Sequence, residues 1–336
     1  AAWVTIQIGC DNSCAFCIVP AVRGKEISRP YSELVSEVEQ LALTGVTEIT
    51  LLGQNVNSYG RDLTLKLRGA ELTPELIQLV GEKWGEGPRT ARPLFSDLLC
   101  SVAAVSGIRR VRYTSPHPKD FRPETIAAMA QIPEVCEHLH LPLQSGSDKI
   151  LSAMHRGYTA DRYIQKVTAA RDEIPDLALS TDIIVGFPGE TDLDFERTLE
   201  VAAEVKFDNA YTFVYSPRPG TEAAESSEQV VEAKTSADRM ERLRKVIQRT
   251  SLKGNESRVG REEEVIVEGH SKRDKKMLTG RTRHNRLVHF PADRVIRPGS
   301  YAQVRVVEAR TFNLVGELVE VTAGAKHRTR IPVVSS

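Results

Sequence analysis

The sequence predicts an α/β chain, an incomplete (β/α)6 barrel followed by a small all-β barrel of OB type. Three observations carry that expectation. Over residues 1–215, six apolar, β-branched runs alternate with helical stretches, which implies parallel strands joined by right-handed crossovers. The strand count falls short of what closes a full (β/α)8 barrel, and an active site is expected at the carboxyl ends of those strands. Residues 265–321 then hold five short strand patterns broken by Gly, Pro and Asn.

The strand patterns of the first module fall at 3–8, 48–52, 108–113, 138–143, 179–185 and 210–215. Several helices announce their starts. Thr191 precedes an acidic turn (Asp192, Asp194) and the apolar positions Phe195, Leu199 and Ala202. Ser147 and Thr159 are further N-cap candidates, and Pro74 and Pro123 suit a first helical turn. The segment 64–92, rich in charge and glycine with one short helix pattern at 74–82, is expected to be a surface insertion. After the turn cluster 216–220 comes a charged helix within 236–254, expected as a connector. The second module's strands are expected at 265–268, 278–283, 288–290, 301–309 and 314–321. The organisation expected is therefore 1–235, a connector at 236–254, a β module at 255–322 and a flexible tail at 323–336.

Composition narrows the function classes. The 336 residues are 40% hydrophobic and 27% charged, ordinary for a globular chain, and no apolar run is long enough to span a bilayer. The start, Ala1-Ala2-Trp3, has no methionine and enters strand-like sequence at once, as a cut through a longer protein would. Net charge is zero but uneven. Residues 255–336 hold 16 Lys and Arg against 10 Asp and Glu, a net of +6, and the preceding residues carry −6. A basic module on an acidic body suits a polyanion-binding appendage. Five cysteines make a poor disulfide framework, and a reducing cytoplasm with a metal-binding role fits them better.

Cys10, Cys14 and Cys17 stand in C-x3-C-x2-C spacing directly after the first strand. Three thiolates can hold three irons of a 4Fe–4S cluster and leave the last iron without a protein ligand. Such an iron can chelate S-adenosylmethionine (SAM) and deliver an electron to its sulfonium, releasing a 5′-deoxyadenosyl radical. A closed zinc site needs a fourth ligand, and the next histidine is only at His117. Cys100 lies in an apolar helix pattern and Cys136 just before the fourth strand; both are expected to be buried, unreactive thiols.

Around these cysteines the runs GCDNSCAFCIVPAVRGKEISRP, LLGQNVNSYG, YTSPHPKDF, HLHLPLQSGSDKIL, STDIIVGFPGETDLDF and YTFVYSPRPGT make the chain resemble the radical SAM methylthiotransferases. The resemblance is strongest to the MiaB-type branch, which adds a methylthio group to N6-isopentenyladenosine beside the tRNA anticodon. It implies a radical SAM barrel with a 4Fe–4S cluster and SAM, and identifies the basic module as a TRAM domain. It further implies tRNA as partner, an electron donor such as flavodoxin or ferredoxin, and a cytoplasmic monomer. Gln54 and Asn55, ending the second strand, are expected to accept hydrogen bonds from the methionine amine of SAM. Gln144 and Ser145, ending the fourth, would lie near the ribose hydroxyls, and Gly186 would let backbone approach the cofactor. Lys272, Arg273, Lys275, Lys276, Arg281 and Arg283 are expected to meet RNA phosphates, with His284 and Phe290 interleaved. No side chain is assigned as catalytic.

Family members also carry an amino-terminal domain whose further cysteines hold a second 4Fe–4S cluster, and nothing in this chain supplies it. Two sister activities stay open, on threonylcarbamoyl-adenosine in tRNA or on a ribosomal-protein aspartate. A different class stays open too, an RNA-binding redox sensor that uses its cluster without catalysis.

Overall fold

Apolar runs that alternate with helices pair in parallel in the computed structural model, which describes residues 1–86, 89–226 and 228–325. Strand β1 (Ala2–Thr5) leads into a short antiparallel pair, β2 (Gln7–Ile8) and β3 (Ile27–Ser28). The strands β4 (Glu48–Leu52), β5 (Arg110–Tyr113), β6 (His138–His140), β7 (Ala178–Val185) and β8 (Asn209–Val214) follow. β1, β4 and β5 pair in parallel, as do β6, β7 and β8. A parallel bridge between Val111 and Val135 joins the two groups, the Cys136 N–H donating to the Val111 carbonyl at 3.0 Å. Trp3, Thr50, Arg112, His140, Asp182 and Tyr211, one from each of the six parallel strands, line one cavity of about 570 Å³. A sheet whose inner face surrounds a shared space is curved, so the incomplete barrel is present as expected.

The expected first strand divides. Ile6 still donates to Leu52 at 2.9 Å, but Gln7 turns away to pair with Ser28. Gly9 makes that turn at a φ of +78°, where a Cβ would lie 2.1 Å from the Lys25 carbonyl oxygen, a position open to glycine alone.

The helices pack outside the sheet: α1 (Val19–Arg23), α2 (Tyr31–Leu43), α3 (Arg61–Lys66), α4 (Pro74–Val80), α5 (Phe95–Ala103) and α6 (Pro123–Gln131). Then come α7 (Asp148–Ala153), α8 (Ala160–Glu173), α9 (Asp192–Val205), α10 (Glu222–Glu225) and α11 (Ala233–Glu256). Ser147 and Thr159 accept cap bonds from the Ile150 and Arg162 N–H groups, and Thr191 forms a reciprocal capping box with Asp194. Leu34 and Val38 of α2, Leu98 and Val102 of α5, and Phe195 and Val201 of α9 share one buried core with Val4, Ile49 and Leu179 of the sheet.

Two expectations about this module are corrected. The segment 64–92 is not a surface insertion, because Val80 and Trp84 are buried in the main core and the Trp84 indole N–H donates to Thr90. The charged helix is not a plain connector either. Met240, Leu243 and Ile247 of α11 belong to that same core, and Arg239 forms a buried ion pair with Glu190 at 2.7 Å.

The second module is a closed five-stranded barrel in the order β10-β11-β13-β12-β9. Its strands are β9 (Glu262–His270), β10 (Met277–Thr282), β11 (Leu287–Pro291), β12 (Tyr301–Ala309) and β13 (Leu314–Ala323). Val265, Leu278, Val288, Phe290, Val304 and Leu314 fill it. The expected tail, 323–336, lies outside the described residues from 326 onward.

This small barrel docks against the amino-terminal ends of the parallel strands. Arg110 at the start of β5 is wholly buried and donates to the carbonyls of Arg281 and Glu264, at 2.9 and 2.8 Å. Arg112 donates to the carbonyls of Arg283 and Thr282, at 2.9 and 2.7 Å. The Tyr301 hydroxyl meets the Thr47 hydroxyl at 3.0 Å. Guanidinium forks aimed at backbone carbonyls fix the docking angle, because each fork has its donors in one rigid plane.

Candidate functional site

Cys10, Cys14 and Cys17 lie on the loop that joins β2 to α1, each partly exposed. The loop is tied at several points. The Cys10 N–H donates to Gly24 at 3.2 Å, the Cys17 N–H to Cys14 at 3.0 Å, and the Ala15 N–H to Met154 at 3.2 Å. Ala15 and Phe16 pack with Ile184, Phe187 and Tyr215, so the loop reaches across to the carboxyl ends of β7 and β8. Among the described residues, no three His, Cys, Asp or Glu side chains converge as ligands of a single ion would. In a four-iron cluster each thiolate takes its own iron, so the three sulfurs need not converge on one point.

Burial pushes the Cys10 thiol up, the Asn12 N–H opposing it, with Cys14, Glu26 and Cys17 adding to the rise. Cys14 has a fixed cation beside it. Arg156 is buried, and its Nη1 donates to the Cys14 Sγ at 3.3 Å while its Nε donates to the Tyr158 hydroxyl. That hydroxyl reaches the carbonyls of Pro142 and Leu143, both at 3.0 Å.

The ends of β4 and β6 bring carboxamides to the same end of the barrel. Oε1 of Gln54, Oδ1 of Asn55 and Oε1 of Gln144 are each buried without a hydrogen-bond partner. Buried polar atoms are nearly always satisfied, so each orphan calls for a partner such as a ligand or a water. The Asn55 Nδ2 is committed to Asp120 at 2.7 Å, which fixes the amide. Gln144 holds a φ of +67°, costly for a residue with a Cβ, and its backbone still pairs with Asp182 and Ile184.

Two expected cofactor residues are placed otherwise. Ser145 is wholly buried, its hydroxyl 3.3 Å from that of Thr198 and accepting from the Ser147 N–H, so it braces the turn and has no surface for a ligand. Gly186 has a φ of +73°, and a Cβ there would fall 2.4 Å from the Ser236 hydroxyl. The close approach it permits is to α11.

Reading the sequence singled out neither Arg156 nor Glu26 individually. Glu26 stands in the cysteine-bearing run, which was its only signal. It accepts from the Ser58 hydroxyl at 2.6 Å, and its N–H donates to Asp11. Burial raises its carboxyl to about 7, with Asp11, Asp62 and Asp120 adding repulsion. From the sequence, His117 is only the next histidine after the cysteines, too far along the chain to complete a zinc site with them. Burial, with Arg156, Lys119 and Lys166 nearby, lowers it to about 2. Its Nδ1 accepts from the Lys119 N–H, so the neutral ring carries its proton on Nε2, which is buried without a partner. Of the other cysteines, Cys136 is buried and its thiol is pushed up by that burial, as expected, whereas Cys100 is only half-buried.

The expected RNA contacts split. Lys272, Arg273, Lys275 and Lys276 lie on the exposed turn between β9 and β10. Arg281 is paired with Glu268 at 2.5 Å. Arg283 faces the first module, donating to Glu137 at 2.8 Å and to the carbonyls of Pro133 and Val135, because the docked interface needs its donors. Neither is a free phosphate contact. His284 approaches Asp176 and Glu263, and Phe290 is buried in the small barrel's core.

Comparison with known proteins bears on both modules. Residues 256–319 match the TRAM domain. The tRNA-2-methylthio-N(6)-dimethylallyladenosine synthase of Moorella thermoacetica is 47% identical over 95% of this chain. Those of Mycobacterium marinum and Carboxydothermus hydrogenoformans are 45% and 44% identical, over 94% and 95% of it. The chain spans 66%, 58% and 66% of those relatives' own lengths. Residues 4–202, more than half of the chain, match the Radical SAM superfamily, and the chain belongs to that superfamily.

Proposed function

We propose that this chain is the SAM-cleaving and RNA-binding part of a tRNA methylthiotransferase that converts N6-isopentenyladenosine beside the anticodon to its 2-methylthio form. The observation that carries the reading is the similarity of nearly the whole chain, at 44–47% identity, to synthases named for that product. It favours this substrate over threonylcarbamoyl-adenosine or a ribosomal-protein aspartate.

Membership of the superfamily implies a 4Fe–4S cluster and SAM as cofactors, and the residues present suit both. When bound, the cluster supplies one electron to the sulfonium of SAM, releasing a 5′-deoxyadenosyl radical. Cys10, Cys14 and Cys17 would hold three of its irons. Gln54, Asn55 and Gln144 would orient SAM through the acceptor oxygens that lack partners within the protein. The superfamily match and the relatives named as synthases count against a redox sensor without catalysis. Arg156 would hold a positive charge against the thiolate of Cys14. A second 4Fe–4S cluster for sulfur transfer would lie in sequence beyond this chain. An electron donor such as flavodoxin or ferredoxin, a monomeric state and a cytoplasmic location complete the reading. Among the described residues, no helix is long and apolar enough to cross a membrane.

The test is anaerobic reconstitution with iron and sulfide, then incubation with SAM and a chemical reductant. The wild-type chain should turn brown and release 5′-deoxyadenosine. Cys10→Ala, Cys14→Ala and Cys17→Ala should each lose both, while Cys100→Ala and Cys136→Ala keep them. Loss of the chromophore in Cys136→Ala would rule out the three-ligand assignment.

A further inference from the structure

Large aromatics left in water mark interaction sites when they cluster. Among the described residues, the strongly exposed aromatics are Trp3, Tyr211, Phe213 and Phe312, at 70, 52, 51 and 67%. Their placement is not scattered. Trp3 and Tyr211 lie on β1 and β8, the two unpaired edges of the incomplete barrel, and both line its 570 Å³ cavity. Phe213 follows Tyr211 by two positions and so shares its face of β8. Phe312 stands on the turn between β12 and β13, and with Tyr211 it lines a second cavity of about 260 Å³ at the seam between the two modules.

The second cavity is lined mainly by polar side chains. Asn209, Asn285 and Asn313 line it. The Asn285 Oδ1 accepts from Arg281 at 3.0 Å and the Asn313 Nδ2 donates to the Leu314 carbonyl at 3.4 Å, which leaves a donor on Asn285, an acceptor on Asn313 and both groups on Asn209 for the edge of a nucleobase. Asp208 also lines it, but its charge is met by Arg286, so the wall is polar without being anionic. The domain that supplies Phe312 carries the chain's basic excess.

We propose that this seam is a second base-binding site, in which an unpaired nucleobase flanking the one to be modified stacks on Phe312 and is read by the asparagine amides. The inference rests on the RNA-binding reading above and adds a site to it. Tyr211, which borders both cavities, would separate the flanking base from the target base in the barrel. Stacking on Phe312 is tolerant of base identity, and the asparagines supply whatever preference there is.

The probes are a short synthetic RNA hairpin with an unpaired purine-rich loop and a blunt RNA duplex of equal length, both measured by fluorescence anisotropy against the whole chain. Phe312 is solvent-exposed on a turn, so Phe312→Ala should fold normally. Loss of one stacked base should weaken hairpin binding by about tenfold. Duplex binding, which depends on phosphate contacts alone, should change by less than about twofold. Phe312→Trp should restore the hairpin affinity. If hairpin binding is unchanged in Phe312→Ala, or if both RNAs weaken equally, the base site is wrong while the RNA-binding reading stands. If the wild-type chain binds neither RNA, both fall together.

Discussion

The guanidinium of Arg156 lies 3.3 Å from the sulfur of Cys14, and Tyr158 holds it there from the end of β6. A permanent cation so close to one proposed iron ligand favours the more negatively charged state of whatever that sulfur binds. Iron–sulfur potentials respond to nearby charge and to hydrogen bonds on sulfur.

Arg156→Met should therefore shift the cluster's potential to more negative values. An EPR-monitored redox titration of the reconstituted chain reads this directly. Arg156→Lys, which keeps the charge but loses the fork, should fall between the two. A potential unchanged in Arg156→Met would reduce the contact to packing.

Trp84 tests the corrected reading of 64–92. It is among the largest wholly buried side chains, sharing the core with Leu34 and Leu98. Trp84→Ala should cost about 3–5 kcal/mol in urea unfolding, and deletion of the segment should cost the fold. A loss below about 0.5 kcal/mol, typical of surface changes, would return the segment to the surface.

Glu26 gives a pH signature. Its carboxyl is raised from 4.5 to about 7, so between those values the folded chain holds a proton that the unfolded chain has lost. Stability from this group is therefore highest below pH 4.5, falls as pH rises through the window, and levels off above 7. Glu26→Gln should be more stable than wild type at pH 8 and close to it at pH 5. Urea midpoints of the cluster-free protein at the two pH values, compared as wild type minus variant, measure the difference. A difference equal at both would show Glu26 to be charged throughout.

How much of this was legible in the sequence follows from what is local and what is not. Caps at Ser147, Thr159 and Thr191 depend on a few adjacent residues and were readable, as was the alternation that makes a parallel sheet. The burial of Trp84 was not, because the charged and glycine-rich residues around it dominate the composition while one indole supplies the packing. Arg110 and Arg112 sit in a strand pattern and turn to the small barrel more than 150 residues away in sequence. No local signal specifies such a contact. Separations of 142 and 146 residues likewise hid Arg156 from Cys14 and Arg283 from Glu137. Gln54, Asn55 and Gln144 were found by resemblance, and their unpartnered oxygens are an independent reason to keep them.

The split among the basic residues gives the sharpest test of the RNA surface. Lys272, Arg273, Lys275 and Lys276 are exposed on one turn, whereas Arg283 is spent on Glu137 and two backbone carbonyls of the first module. If the turn meets phosphates, replacing its four cations by Ala should flatten the slope of log affinity against log salt by about 0.7–0.9 per lost contact, roughly 3 in all. SAM cleavage without RNA should be unaffected, because the cysteine loop lies at the opposite end of the strands. Arg283→Ala should behave differently. It leaves Glu137 half-buried without its cation, so it should lower the unfolding midpoint and leave the salt slope unchanged. Filter binding of tRNA across a salt series, with urea unfolding of both variants, separates the two roles. A salt slope that flattens in Arg283→Ala and not in the quadruple variant would reverse the assignment, making Arg283 the phosphate contact and the turn a solvated face.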